Sequence, residues 1–103
     1  GNHHLVMGRE GGSLWCEQTL DGVRNTGVFT FNATQHRHWR IRHDSGANTI
    51  VWETSPDGTA WAAIRTLPRQ VPLNAMTIDI SRGYLRRVTR VSHLALPCFP
   101  VSI

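Results

Sequence analysis

The chain has 103 residues, enough for one domain with a modest core. Hydrophobic residues make up 40% but fall in short runs, which excludes a membrane-spanning helix, and no signal or transit peptide is legible. All 11 basic residues are Arg; residues 1–79 hold seven Arg and seven acids, so the formal charge of +4 sits on Arg82, Arg86, Arg87 and Arg90.

In chain order the sequence predicts short strands. Gly, Asn, Asp and Pro punctuate it every eight to twelve residues, the rhythm of an all-β sandwich or barrel. Residues 4–7 form the first expected strand, followed by a turn over residues 8–12. Residues 13–19 come next and end at Asp21-Gly22, a strong turn dipeptide. Residues 27–31 are rich in β-branched and aromatic side chains. After a polar connection over residues 32–35, residues 37–43 and 49–53 make a hairpin around a loop that contains Gly46. Ser55-Pro56-Asp57-Gly58 is a turn on chemical grounds. Pro presets φ at the second position and Gly accepts positive φ. Trp52 and Trp61 flank it, and strand alternation decides whether they share a face and can meet as a cross-strand aromatic pair. Residues 60–66 follow, and Pro68 and Pro72 then break the pattern.

Residues 75–81 alternate, with Met76, Ile78 and Ile80 on one side and Thr77, Asp79 and Ser81 on the other. The expected inward set is Val28, Trp39, Ile41, Met76, Ile78 and Ile80. Leu85, Val88, Val91 and Leu94 recur every three residues, yet Val88, Thr89 and Val91 favour strand, so that segment stays open between helix and strand. No internal repeat is present.

The run Trp39-Arg40-Ile41-Arg42, then Ile50 through Gly58, then Trp61, resembles the concanavalin A-like lectin/glucanase superfamily. It is most similar to jelly-roll modules of large bacterial secreted and surface proteins. Met7 through Gly12 and Leu14 through Gly22 fit the preceding strands. The resemblance covers about residues 3–81 and implies an antiparallel β-sandwich of jelly-roll type, secreted or on a cell surface. Residues 82–103 form a divergent Arg-rich tail within the same single domain of residues 1–103. Such modules are longer, so this chain looks like their C-terminal half, completed by a second copy or closed into a smaller sandwich. A homodimer is the expectation, because half a sandwich leaves edges bare. The chain starts at Gly1 without Met, which points to a processed end or a cleaved tag.

The resemblance also implies a sugar-binding face. Trp15 and Trp52 are the expected exposed aromatic platform, with Glu17, Arg40 and Arg42 beside them to bond hydroxyls; Trp39 is expected in the core. The glucanases of the superfamily carry an E-x-D-x-x-E run that this sequence lacks, and glycoside hydrolysis needs two placed carboxylates. Glu53 reads as an Arg partner and Asp57 as a turn residue. A non-catalytic carbohydrate- or partner-binding module is therefore the leading expectation.

The alternative is a small jelly-roll metalloenzyme, cupin-like or carbohydrate-active. On an extended strand His36 and His38 share one side and can chelate a divalent metal ion, although Arg40 and Arg42 beside them discourage a cation, so solvated histidines are the simpler reading. His3, third from a free amino terminus, can bind Cu(II) with backbone nitrogens. Cys16 and Cys98 lie 82 positions apart with no zinc spacing, and free buried thiols are the simpler reading. Nucleic acid is disfavoured, because one Arg-rich end is not a basic face spread over several elements.

Overall fold

The computed structural model describes the backbone of residues 2–82, 85–91 and 98–102, and the side chains of residues 2–80. Among the described residues nine strands follow one another: β1 (His4–Glu10), β2 (Ser13–Leu20), β3 (Val23–Thr30), β4 (His38–Asp44), β5 (Thr49–Ser55), β6 (Ala62–Pro68), β7 (Met76–Arg82), β8 (Leu85–Val91) and β9 (Cys98–Ser102). They form a five-stranded sheet ordered β3-β2-β1-β7-β8 and a four-stranded sheet ordered β6-β5-β4-β9. The fold is all-β, and among the described residues no helix is long and apolar enough to cross a membrane.

Alternation drives the two layers together. Leu5 and Met7 of β1, Leu14 and Cys16 of β2, and Met76, Ile78 and Ile80 of β7 point inward from the first sheet. Trp39 and Ile41 of β4 and Ile50 and Trp52 of β5 meet them from the second. Burying each large apolar side chain stabilises by roughly 1.5–3 kcal/mol relative to exposure, which makes this shared core the main source of stability.

Polar groups tie the layers. Gln18, only 2% exposed, donates from Nε2 to the Pro68 carbonyl at 3.0 Å. Its Oε1 accepts from the amides of Gln70 at 2.9 Å and Val71 at 3.3 Å. The Trp52 indole donates to the Val6 carbonyl at 2.9 Å. Arg65 leaves β6 and donates from one nitrogen to the carbonyls of Cys16 at 2.6 Å and Asn25 at 2.9 Å. Gly27 makes room for it: a Cβ there would lie 3.0 Å from the Arg65 side chain.

Several expectations are corrected. Val28 is not inward; it is 59% exposed, because it pairs with Trp15 on the outer face of β2 and β3 while its neighbour Phe29 packs on the core. The sheets are not wholly antiparallel, since β1 and β7 pair in parallel. The chain leaves the first sheet after β3, builds β4 to β6 in the second, and returns to lie beside β1 in the same direction. A parallel pair requires such a long crossover. Among the described residues the two inner faces meet within one chain, as the alternative of a smaller sandwich expected. The open question at residues 85–91 resolves as strand, paired antiparallel with β7.

Candidate functional site

The 55–58 turn is built as its chemistry requires. The Ser55 hydroxyl donates to Asp57 Oδ1 at 3.0 Å and accepts from the Gly58 amide at 2.9 Å. Asp57 Oδ1 also accepts from the amides of Thr59 at 2.8 Å and Ala60 at 3.0 Å. Gly58 takes φ of 80°. Those amides, with the Ser55 hydroxyl, hold the Asp57 carboxyl below its ordinary value. The connection between β5 and β6 then runs on through Trp61.

Trp52 and Trp61 do not pair. Trp52 is fully buried and opposite Arg65, whereas Trp61 lies outside the strands with the Arg40 guanidinium 4.2 Å above its ring centroid. Because Trp39 and Ile41 point into the core, Arg40 and Arg42 point out of β4. Glu53 is directly opposite Arg40 on the outer side of β5. Its Oε1 accepts from Arg40 Nε at 2.7 Å and from Arg42 Nε at 3.0 Å. Burial alone would raise the Glu53 carboxyl, but the two guanidinium hydrogen bonds and charges outweigh it and hold it below its ordinary value. Trp61, Arg40, Glu53 and Arg42 thus form one ordered cluster on the outer face of the four-stranded sheet. His38 stands on the same strand, its ring 3.6 Å from where a Gly58 Cβ would lie.

A second cluster lies on the outer face of the other sheet. Glu17, 6% exposed, accepts from Thr26 Oγ1 at 2.6 Å, Arg24 Nε at 2.9 Å and Thr19 Oγ1 at 3.1 Å. Burial raises its carboxyl, and those three donors together with the Arg24 charge bring it below the ordinary value. Trp15 is partly exposed one row away, between Val28 and Gly8.

The expected platform is therefore divided. Trp15 and Glu17 share one outer face, Arg40 and Arg42 occupy the other, and Trp52 is in the core between them. Sequence parity contained the missing signal: if Glu53 faces out, its neighbour Trp52 faces in. Trp61 was the aromatic residue to place beside Arg40.

The histidine expectation is also corrected. His36 is not on β4 and is not solvated. It closes a turn over residues 32–36, where its amide donates to the Asn32 carbonyl at 2.9 Å and its Nδ1 accepts from the Asn32 amide at 3.0 Å. Asn32 Oδ1 holds the amides of Thr34 and Gln35 at 2.9 Å each. The His36 ring meets Phe31 edge-on, with centroids 5.6 Å apart, and burial holds the imidazole below its ordinary value. It therefore lies in that turn, outside the strand that carries His38. Among the described residues no group of three or more His, Cys, Asp or Glu side chains is arranged to hold a metal ion. The His3 Nδ1 accepts from the Asp21 amide at 3.3 Å, and Gly1 lies outside the described residues.

Cys16 is a buried free thiol, which burial pushes up to about 12 against the opposing charge of Arg65. The side chains of Cys98, Arg82, Arg86, Arg87 and Arg90, which bear on the disulfide and nucleic-acid expectations, lie outside the described residues. No protein-family model matches the chain, and no curated protein or solved structure matches it either.

Proposed function

We propose that this chain is a non-catalytic binding module, a sandwich of jelly-roll type whose outer sheet face takes a carbohydrate. The observation that carries this reading is the stack of Arg40 on Trp61 at 4.2 Å, with Glu53 bridging Arg40 and Arg42. A flat aromatic ring beside polar groups fixed by one another is what a sugar needs: the ring packs on C–H faces and the polar groups bond hydroxyls. Fixing those groups in advance lowers the ordering cost of binding.

The carboxylates support binding over hydrolysis. A general acid at neutral pH needs a raised value, whereas Glu17, Glu53 and Asp57 are all held low by donors. Trp15 with Glu17 is the remaining half of the platform expected from sequence and serves as the comparison site.

A glycan array with wild type, Trp61→Ala and Trp15→Ala tests the proposal. Binding that Trp61→Ala abolishes and Trp15→Ala leaves intact is expected. Loss only in Trp15→Ala moves the site to the opposite sheet, and a silent array for wild type removes the proposal.

A further inference from the structure

We infer that Asn32 is an acceptor for an N-linked oligosaccharide, attached at the turn between β3 and β4. The inference does not depend on the binding-module reading.

Asn32-Ala33-Thr34 is an N-x-T triplet with no Pro at its centre, the pattern an oligosaccharyl transferase modifies. A carboxamide nitrogen is a weak nucleophile, and the hydroxyl two residues on marks the one to be modified. The other asparagines lack that hydroxyl: His4, Gly27, Ile50 and Met76 stand two residues after Asn2, Asn25, Asn48 and Asn74.

The fold puts this triplet where a glycan can stand. Residues 32–35 are exposed and lie outside the strands. A bulky, solubilising group belongs on such a surface turn. Asn25 is the contrast, because Arg65 holds both its carbonyl and its Oδ1.

The hydrogen bonds of the turn survive the modification. Asn32 Oδ1 accepts from the amides of Thr34 and Gln35 at 2.9 Å each. Its backbone amide donates to His36 Nδ1 at 3.0 Å, and its carbonyl accepts from the His36 amide at 2.9 Å. Among the described residues Asn32 Nδ2 makes no hydrogen bond. Glycosylation replaces one Nδ2 proton and keeps the Oδ1 carbonyl, so each bond above persists. Other groups fix both ends of the turn. The Phe31 amide donates to the Gly12 carbonyl at 2.9 Å while its ring packs on the core. The Trp39 indole donates to the His36 carbonyl at 2.9 Å.

The transfer balances without a redox partner. Nδ2 attacks C1 of the first sugar of a polyisoprenyl diphosphate oligosaccharide. The N–C1 bond forms, the C1–O bond to the diphosphate breaks, and the lipid diphosphate leaves with that electron pair. The proton lost from Nδ2 passes to solvent.

Purified oligosaccharyl transferase with its lipid-linked oligosaccharide tests this on the full chain, offered folded and offered as it is diluted from urea. Addition of one glycan in either arm is expected, and enzymatic release that leaves an aspartate at position 32 locates it by mass spectrometry. Thr34→Ala is expected to abolish the addition. It keeps the turn, because Thr34 serves the turn through its backbone amide. Thr34→Ser, which keeps the hydroxyl, should still be modified. Asn32→Gln should abolish the addition and Asn25→Gln should leave it unchanged. The modified chain should melt within about 4 °C of the unmodified one. No addition in either arm, while a reference N-x-T peptide is modified in the same mixture, overturns the inference. Addition that persists in Asn32→Gln or Thr34→Ala overturns it too, and so does a modified chain that no longer melts cooperatively.

Discussion

Arg65 holds the open edge of the sandwich. It rises from the inner side of β6, passes 6.0 Å from the Trp52 ring centroid, and clasps the backbone of β2 and β3. Arg65→Ala leaves two carbonyls without their charged donor and is expected to cost about 2–3 kcal/mol in urea unfolding. Gly27→Ala, which crowds the same guanidinium, should cost about 1 kcal/mol. His36 gives a second prediction at this scale. Its imidazole is held low by burial, so the neutral form stabilises the fold. That contribution is complete above about pH 6.5 and is lost as pH falls toward the lower folded value, because the unfolded chain then binds the proton more readily. Glu17 and Glu53 add a second loss at more acidic pH. Their contribution is present above the ordinary carboxylate value and disappears as pH drops through their depressed values. Melting temperature should therefore fall in two stages on acidification, and His36→Gln should remove the upper one. The role of Glu53 as an Arg partner was legible from the run of alternating charges. That of His36 was not, because spacing alone cannot separate a strand from a turn closed by an Asn side chain.

At the scale of elements, β3 and β5 show where alternation informs and where it misleads. In β7 the polar and apolar residues take strict turns, and the inward set read from sequence is the observed one. In β5 three apolar residues, Ile50, Val51 and Trp52, are consecutive, so only Glu53 fixes the parity. Trp52→Ala should accordingly cost about 3–5 kcal/mol as a core truncation. Any loss of ligand binding in that variant would then reflect unfolding, which circular dichroism would reveal. The edge strand β3 carries Val23 at 73% and Val28 at 59% exposure. Val28→Thr should change stability by less than about 0.5 kcal/mol, whereas Ile41→Ala in the core should cost about 2–5 kcal/mol. The first residues of β3, Val23-Arg24-Asn25, were illegible as strand because Arg and Asn have little intrinsic preference for it; pairing with β2 overrides that.

At the scale of the whole molecule, the closed core places both outer sheet faces at the surface and gives each its own ordered charge cluster. The layered all-β architecture was legible from turn spacing, but the path between the sheets was not, since nothing local in the sequence encodes which strand lies beside β1. A thiol raised to about 12 in this core is protonated at neutral pH. In the Cys98→Ser variant, Cys16 should resist alkylation at pH 8 and react when urea opens the fold; rapid labelling of the native chain would contradict the packing. The homodimer expected from the sequence is a proposal, which light scattering across a dilution series measures.

The β1–β7 ladder sets when the molecule can fold. Its partners are separated by β2 to β6, from His4 to Thr77 at one end of the register, and such distant contacts are slow to form. As the chain emerges during synthesis, the hairpins of β1 to β3 wait with the β1 flank bare until β7 arrives. Versions cut before residue 76 should stay unfolded and prone to aggregation, and the step that commits the native state is the arrival of β7 rather than the collapse of any single hairpin.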